Sequence, residues 1–349
     1  MLKNIFDAIM KVTDPRPKYT GARCLVERQA MGGCDLCMQA CPHDAVRISD
    51  RVEIIEGDCT GCGLCVQACP TGALEYDLLP MLSSLKNHGT THSMAMGDDR
   101  INSSLKCSKV PGDSPTIECL ARVSPSMVMA SSAWGQKLTL IRNDCNSCSL
   151  GGFTVPQAVE NVLEITRAYR ENIGAVVVEV VQYGISDTKA ELETPKKEVP
   201  VQPAVSVSRR EAMNVFGMGL KRTTAELIPE NPFPGVSAKL EAAPVPDEWT
   251  WRKKTLRPKP DDGTLQYWPA PTVNDDCIFC PVCQNVCPTN AVTREREMDG
   301  TFKIMLETAA CTGCNACVVS CPPAAMTLER QVKFELLEQT VMLHEGTGE

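Results

Sequence analysis

Aromatic residues make up only 5% of this chain, and histidines number four among 349 residues. A single large α/β enzyme would need more aromatic bulk to fill its core. So few histidines leave little for acid–base work, and no Ser-His-Asp or Cys-His arrangement is suggested. No G-x-G-x-x-G follows a strand, so neither NAD nor flavin binding is signalled. No basic tract stands out, the net charge is −8 and the pI is near 5.3, which argues against nucleic acid as a partner. The longest apolar run, around Ala175-Val176-Val177-Val178, is too short for a transmembrane segment. Residues 1–12 are interrupted by Lys3, Asp7 and Lys11, so they form no secretory apolar stretch. Leu2, Ile5, Phe6, Ile9 and Met10 recur at helical spacing instead. Residues 1–23 are therefore read as an N-terminal helix, which covers its own domain or docks on a partner subunit.

What the chain has in quantity is cysteine, 20 residues, with 25 prolines and 23 glycines. Sixteen of the cysteines fall into four runs with mostly two- and three-residue gaps, which suit a metal better than bridges to one another. Reduced thiols imply a cytoplasmic location. A bound inorganic group can replace apolar volume and cross-link small domains, which accounts for the thin aromatic content.

The clearest stretch is Cys59, Cys62, Cys65, Cys69-Pro70, spaced C-x2-C-x2-C-x3-C-P. That spacing gives three thiolates to one [4Fe–4S] cluster and sends the fourth to another. It returns at Cys277, Cys280, Cys283, Cys287-Pro288 and at Cys311, Cys314, Cys317, Cys321-Pro322. An altered copy stands at Cys34, Cys37, Cys41-Pro42. Glycines such as Gly61, Gly63 and Gly313 let main-chain amides approach cluster sulfur. Pro70 and Pro322 end their runs and help shield the clusters.

Residues 24–80 repeat a pattern of cysteine-bearing helix and short strands, and resemble the bacterial two-[4Fe–4S] ferredoxins. The resemblance implies swapped ligation: Cys59, Cys62 and Cys65 with Cys41, and Cys34 and Cys37 with Cys69. The second of these lacks a thiolate where the family places it, because Met31 stands there. A thioether is a poor ligand for cluster iron. Cys24, reached by a widened gap through Gly32-Gly33, resembles a polyferredoxin variant and is the expected fourth ligand. A three-iron cluster or a free Cys24 thiol are the alternatives. Residues 273–330 form a second module with both motifs intact. The same family pattern there implies Cys277, Cys280 and Cys283 with Cys321, and Cys311, Cys314 and Cys317 with Cys287.

Between the modules the texture changes. Residues 78–104 are polar and rich in Met and Ser, and His88 and His92 are read there as solvated loop histidines. From 100 to 183 the sequence predicts strand, helix, strand, helix, strand: a strand ending at Cys107, a helix opening at Cys119, a strand over 137–141, a helix over 156–169 and a buried strand over 175–181. This order argues a small α/β domain with a parallel sheet. Cys107, Cys119, Cys145 and Cys148 would then lie at strand carboxyl ends, where such sheets bind ligands. The order Cys…Cys-Leu-x-Arg…Gly…strand…Cys-x2-Cys…Gly-Gly resembles the hydrogenase delta-subunit family linked to heterodisulfide reductase. That likeness implies a flavodoxin-like domain with an iron–sulfur centre; thioredoxin-like [2Fe–2S] ferredoxins use a comparable cysteine pattern. A [4Fe–4S] or [2Fe–2S] cluster, a structural zinc, or unligated thiols all remain open for this quartet.

Residues 184–272 are read as an extended proline-rich linker, whose Trp249, Trp251 and Trp268 anchor it on another surface. Arg209-Arg210 resembles a twin-arginine export signal, but its internal position favours a short amphipathic helix. Residues 331–349 are read as a docking tail.

The fold expected is thus α+β, with two ferredoxin-like dicluster modules flanking a small α/β domain. Twenty cysteines at four per centre make five centres with no thiol left for a nucleophile. One-electron transfer is the available chemistry. The expected role is an electron-transfer subunit, itself non-catalytic, joining a donor and an acceptor in a hydrogenase-, dehydrogenase- or reductase-type complex. The alternatives are an accessory protein for maturing a metalloenzyme, and a reductase acting on a sulfur-containing substrate at the middle centre.

Overall fold

The computed structural model describes residues 15–96, 101–183 and 243–347; residues 1–14 and the Arg209-Arg210 stretch lie outside the described residues. The N-terminal module is made of very short elements. They are β1 (Lys18–Tyr19), α1 (Leu36–Gln39), the hairpin β2 (Val46–Ile48) and β3 (Val52–Ile54), α2 (Leu64–Ala68) and β4 (Leu74–Glu75). β1 and β4 pair antiparallel, Tyr19 opposite Leu74, and close the module's two ends together. Strands this short have no independent stability. Their core is Val46, Val52, Ala73 and Leu74 around the thiols of Cys24, Cys37 and Cys65, so the cysteines are core residues in their own right.

Residues 79–96 are not the loop that composition suggests. Leu79–Met96 form one helix, α3, which carries both His88 and His92. Leu78, Leu82 and Leu85 supply a buried stripe at four- and three-residue spacing, and they join the middle domain's core. That thin stripe amid Ser, Thr and Gly has little intrinsic helicity; tertiary packing stabilises it.

The middle domain consists of β5 (Ile101–Cys107), β6 (Thr116–Ile117), α4 (Pro125–Ala133), β7 (Gln136–Arg142), α5 (Val155–Arg170) and β8 (Val178–Gln182). Its sheet runs β6-β5-β7-β8 with every pair parallel. The helix expected to open at Cys119 starts later. Leu120–Arg122 is a 3-10 turn, Ser124 is extended, and Pro125 begins α4. Proline disfavours helical backbone in the residue before it and suits the first helical position. β8 is not the buried strand expected either. It is the last strand of the sheet, and Val177 and Val180 beside and within it are exposed.

The last module begins earlier than the motifs suggest. From residue 243 the proline-rich span is folded: α6 (Asp247–Lys254) and β9 (Leu265–Val273) precede the first cysteine. Next come α7 (Val282–Val286), β10 (Val292–Arg296), β11 (Thr301–Glu307), α8 (Ala316–Val319) and β12 (Met326–Lys333). β9 pairs antiparallel with β12, as β1 does with β4. The prolines in β9 are tolerated because this is a two-stranded ribbon with a free edge. Trp249 and Trp268 are buried in this chain's own core, and Trp251 packs half-buried on the middle domain's core. The tail folds back as well: β13 (Thr340–Thr347) pairs with β11.

The three parts are packed together. Buried Arg23 donates to Gly72 O and Pro244 O, each at 2.9 Å, and pairs with Glu75 at 2.9 Å. It thereby holds residue 244 on the first module. Glu248 accepts from Ser126 N at 2.9 Å, at the N-terminus of α4, where a carboxylate meets unpaired amides. Gln266 Nε2 donates to Tyr169 O at 2.8 Å and joins the second module to the end of α5. Among the described residues no helix is long and apolar enough to cross a membrane.

Candidate cluster sites

The fold gathers the cysteines into fours. Cys41, from the end of the first helical segment, lines one cavity with Cys59, Cys62 and Cys65; about 320 Å3 of empty space lies among them, mouth included. Cys69 lines a second cavity, of about 340 Å3, with Cys24, Cys34 and Cys37. The crossing of Cys41 and Cys69 follows from the pairing of β1 with β4 and from the packing of α1 on α2, which set the two halves head to tail. Cys24, not Met31, stands on the second cavity. The Met31 amide instead donates to Ser320 Oγ at 3.1 Å.

Cys107, Cys119, Cys145 and Cys148 line a third cavity, of about 310 Å3. Cys107 ends β5, Cys119 follows β6, and the last two follow β7, all at the carboxyl edge of the parallel sheet. In the second module Cys283 sits within electrostatic reach of Cys277, Cys280 and Cys321. Cys317 likewise faces Cys311, Cys314 and Cys287. Among the described residues no three Cys, His, Asp or Glu side chains converge tightly enough to chelate one metal ion. The thiols stand around voids.

Burial pushes these thiols up: Cys34 and Cys314 to about 11, and Cys37, Cys119 and Cys283 to about 12. Neighbouring thiolates add to the rise at Cys37 and Cys283. Backbone amides oppose it, and the donor is repeatedly the amide two residues on. Leu36 serves Cys34, Leu64 serves Cys62, Val282 serves Cys280 and Ala316 serves Cys314. Ala121 does the same for Cys119 of the middle quartet. Amides aimed at sulfur stabilise anionic ligands and tune whatever those ligands hold.

A pH prediction follows from this burial. A thiol whose folded pKa exceeds the unfolded value of about 8.5 stabilises the metal-free fold fully below that pH and withdraws the contribution above it. The metal-free chain should therefore lose Tm steadily from about pH 8.5 toward the range of Cys34 and Cys37, about 11 to about 12. The loaded chain, its thiolates bound to iron, should not. A flat metal-free Tm across that range would contradict the burial.

The quartets are also neighbours. A Cβ added to Gly151 would lie 3.3 Å from Cys119 Sγ and 3.4 Å from Cys62 Cβ, so one glycine separates the middle quartet from the first module's. Leu150 O, beside it, accepts from Thr60 Oγ1 at 2.8 Å and meets His43 Nε2 at 2.7 Å. Arg122 lies over the loop that carries Cys62: it donates to Gly61 O and stacks on Tyr76 at 4.0 Å. Gly63, at φ 94, lets α2 start under Arg122, where a Cβ would lie 2.7 Å from Arg122 Cγ. Cys37 acts on Cys65 between the first module's two quartets. Cys34 shares a packed cluster with Cys280, Cys314 and Cys317 of the second module. Arg122 and Gly151 stand in the Cys-Leu-x-Arg and Gly-Gly stretches of the sequence, but their contacts with the first module, like the cross-module packing of Cys34, are not signalled by local spacing.

Residues 15–73 and 276–325 each match the family model described as a 4Fe-4S dicluster domain. No curated protein and no solved structure matches the chain. The middle of the chain lies outside both matched regions, and nothing in the comparisons supports its likeness to the hydrogenase delta subunit. Two 4Fe-4S dicluster domains make this an iron–sulfur protein of the electron-transfer kind.

Proposed function

We propose that this chain is a five-centre electron-transfer subunit that carries single electrons between a donor and an acceptor in a larger hydrogenase-, dehydrogenase- or reductase-type complex. The observation that carries the proposal is the closeness of the cysteine quartets: Gly151 lies against both Cys119 and Cys62, and Cys34 borders the same buried cluster as Cys280, Cys314 and Cys317 of the second module. The fit of the residues to clusters rests on donor chemistry. Each quartet offers four thiols, and soft anionic sulfur suits cluster iron better than the imidazole of His43 on the first cavity or the carboxylates of Glu118 and Asp144 on the third. When bound, the clusters supply reversible one-electron chemistry. The chain's own residues hold them, aim amides at sulfur and exclude water; Val46, Leu74, Leu120 and Val155 wall the cavities.

For the middle quartet, an iron–sulfur cluster is favoured over zinc. Its four thiols line a cavity, as those of the first module's two quartets do, and do not converge on one point, whereas a zinc ion draws four sulfurs to about 2.3 Å from one point. The amide of Ala121 repeats the ferredoxin pattern at Cys119. The strand order, second-first-third-fourth, is that of the flavodoxin-type open sheet, which binds its ligand at the carboxyl edge.

Anaerobic iron, sulfide and zinc analysis tests the reading. Five cubanes give about 20 Fe per chain, and about 18 if the middle centre is [2Fe–2S]. About 16 Fe with one zinc would return the middle quartet to a structural role. Recovery of the chain without any stoichiometric redox partner, under conditions that preserve its clusters, would count against the subunit role.

A further inference from the structure

The widened gap between Cys24 and Cys34 builds the junction between the two modules. Leu25 and Ala30 of this loop are buried against Cys280, Val282, Val286 and Ala316 of the second module. The loop also extends Arg28 across the boundary. Its Nη1 donates to Asn285 O at 3.0 Å, two residues before Cys287, and its Nε donates to Ala22 O. Arg28 is only 8% exposed, and its Nη2 is buried without a hydrogen-bond partner. Burial lowers the pKa of this guanidinium, and the Cys287 and Cys314 thiolates would oppose that shift. A buried cation facing no carboxylate is costly by itself, and an orphan buried donor calls for an acceptor.

We propose that Arg28 serves the centre of the other module: its guanidinium balances the charge of the cluster held by Cys287, Cys311, Cys314 and Cys317, and its free Nη2 donates to a sulfur there. The consequence is a raised reduction potential. Were that centre to take one electron from a neighbouring centre, the neighbour would be oxidised by losing that electron and the acceptor, reduced, would become one unit more negative. A fixed cation favours the more negative state, and net charge and hydrogen bonds to sulfur are what set such potentials. Guanidinium keeps its charge when buried, which makes arginine suited to the place. The proposal rests on the electron-carrier reading above.

The test is a potentiometric titration of the full chain, followed by EPR, on the parent and on R28Q, R28K and R330Q. Arg330 approaches the same centre at Cys311. R28Q should move one midpoint to more negative potential and leave the others in place, with iron and sulfide equal to the parent. R28K should stay nearer the parent, and R330Q should move the same signal. Unchanged potentials in R28Q, a common shift of all centres, or iron loss in both R28Q and R28K would overturn the proposal. An unaltered chain that holds almost no iron would instead sink the electron-carrier reading, and this proposal with it.

Discussion

Replacing Cys24 with alanine is expected to lower iron from about 20 to about 16 per chain, or to about 19 if a three-iron cluster survives on the remaining thiols. The visible charge-transfer absorption should fall in proportion. The basis is geometric. Cys24 is buried on the cavity that holds Cys34, Cys37 and Cys69, and its own backbone precedes the loop that seats on the second module. Loss of the thiol therefore removes a ligand and loosens a cross-link at once. Because a bound metal centre contributes its binding free energy to folding, the variant should also melt lower and more gradually, with the N-terminal module opening first. The control is Met31→Ala. Met31 touches the second module only through its amide among the described hydrogen bonds, so its iron content should match the parent. An iron count and spectrum in C24A identical to the parent would remove Cys24 from the ligand set and leave the cavity with three thiolates.

Trp268→Ala is expected to cost about 3–5 kcal/mol, the range for deleting a large buried aromatic. Trp268 is fully buried, its indole nitrogen donates to Thr308 O at 2.9 Å, and its ring meets Tyr169 edge-on at 5.6 Å. Truncation leaves a cavity, an unpaired carbonyl and a gap between the middle domain and the second module. Thr308 opens the turn Thr308–Ala310, which leads directly into Cys311. The damage should thus reach the centre at Cys287, Cys311, Cys314 and Cys317, seen as faster iron loss to a chelator. W268F would keep most of the packing and lose the hydrogen bond, at about 1 kcal/mol. Denaturant unfolding measures both. A loss of about 1 kcal/mol or less for the alanine variant would mean that this tryptophan is not the keystone its burial suggests.

These two residues mark the two kinds of information in the chain. The expectation at Cys24 rests on ligand chemistry, since Met31 cannot supply a thiolate and the glycines at 32 and 33 allow a longer return, and the structure brings Cys24 to the cavity of Cys34, Cys37 and Cys69. Trp268 was misplaced by composition. Twelve prolines lie between 183 and 272, and proline content alone suggests an extended tether. Prolines at 269 and 271 are compatible with an edge strand, however, and the partner strand, β12, lies more than fifty residues on. The helix at Leu79–Met96 was missed for a related reason. The buried Leu82 and Leu85 within it, and Leu78 just before it, acquire meaning only from the core they join. β8 was misjudged in the opposite sense, because a run of valines does not reveal that its strand lies at a sheet edge.

The sequence by itself determined the cysteine spacings, and with them the two regions that match a 4Fe-4S dicluster domain. Ligation is written in short spacings, because two or three residues on a tight turn fix where a thiol can point. It also determined the repeat that makes two modules. The tertiary structure alone decided how the modules meet. Arg28 reaches Asn285 across 257 positions, and Gly151 lies between Cys62 and Cys119 because the first module and the middle domain share one packed core. Such contacts arise from burying apolar surface over long loops, which favours complementary faces without imposing any period on the chain. The motif from Cys59 to Pro70 could be read locally, but the cysteines packed beside it could not.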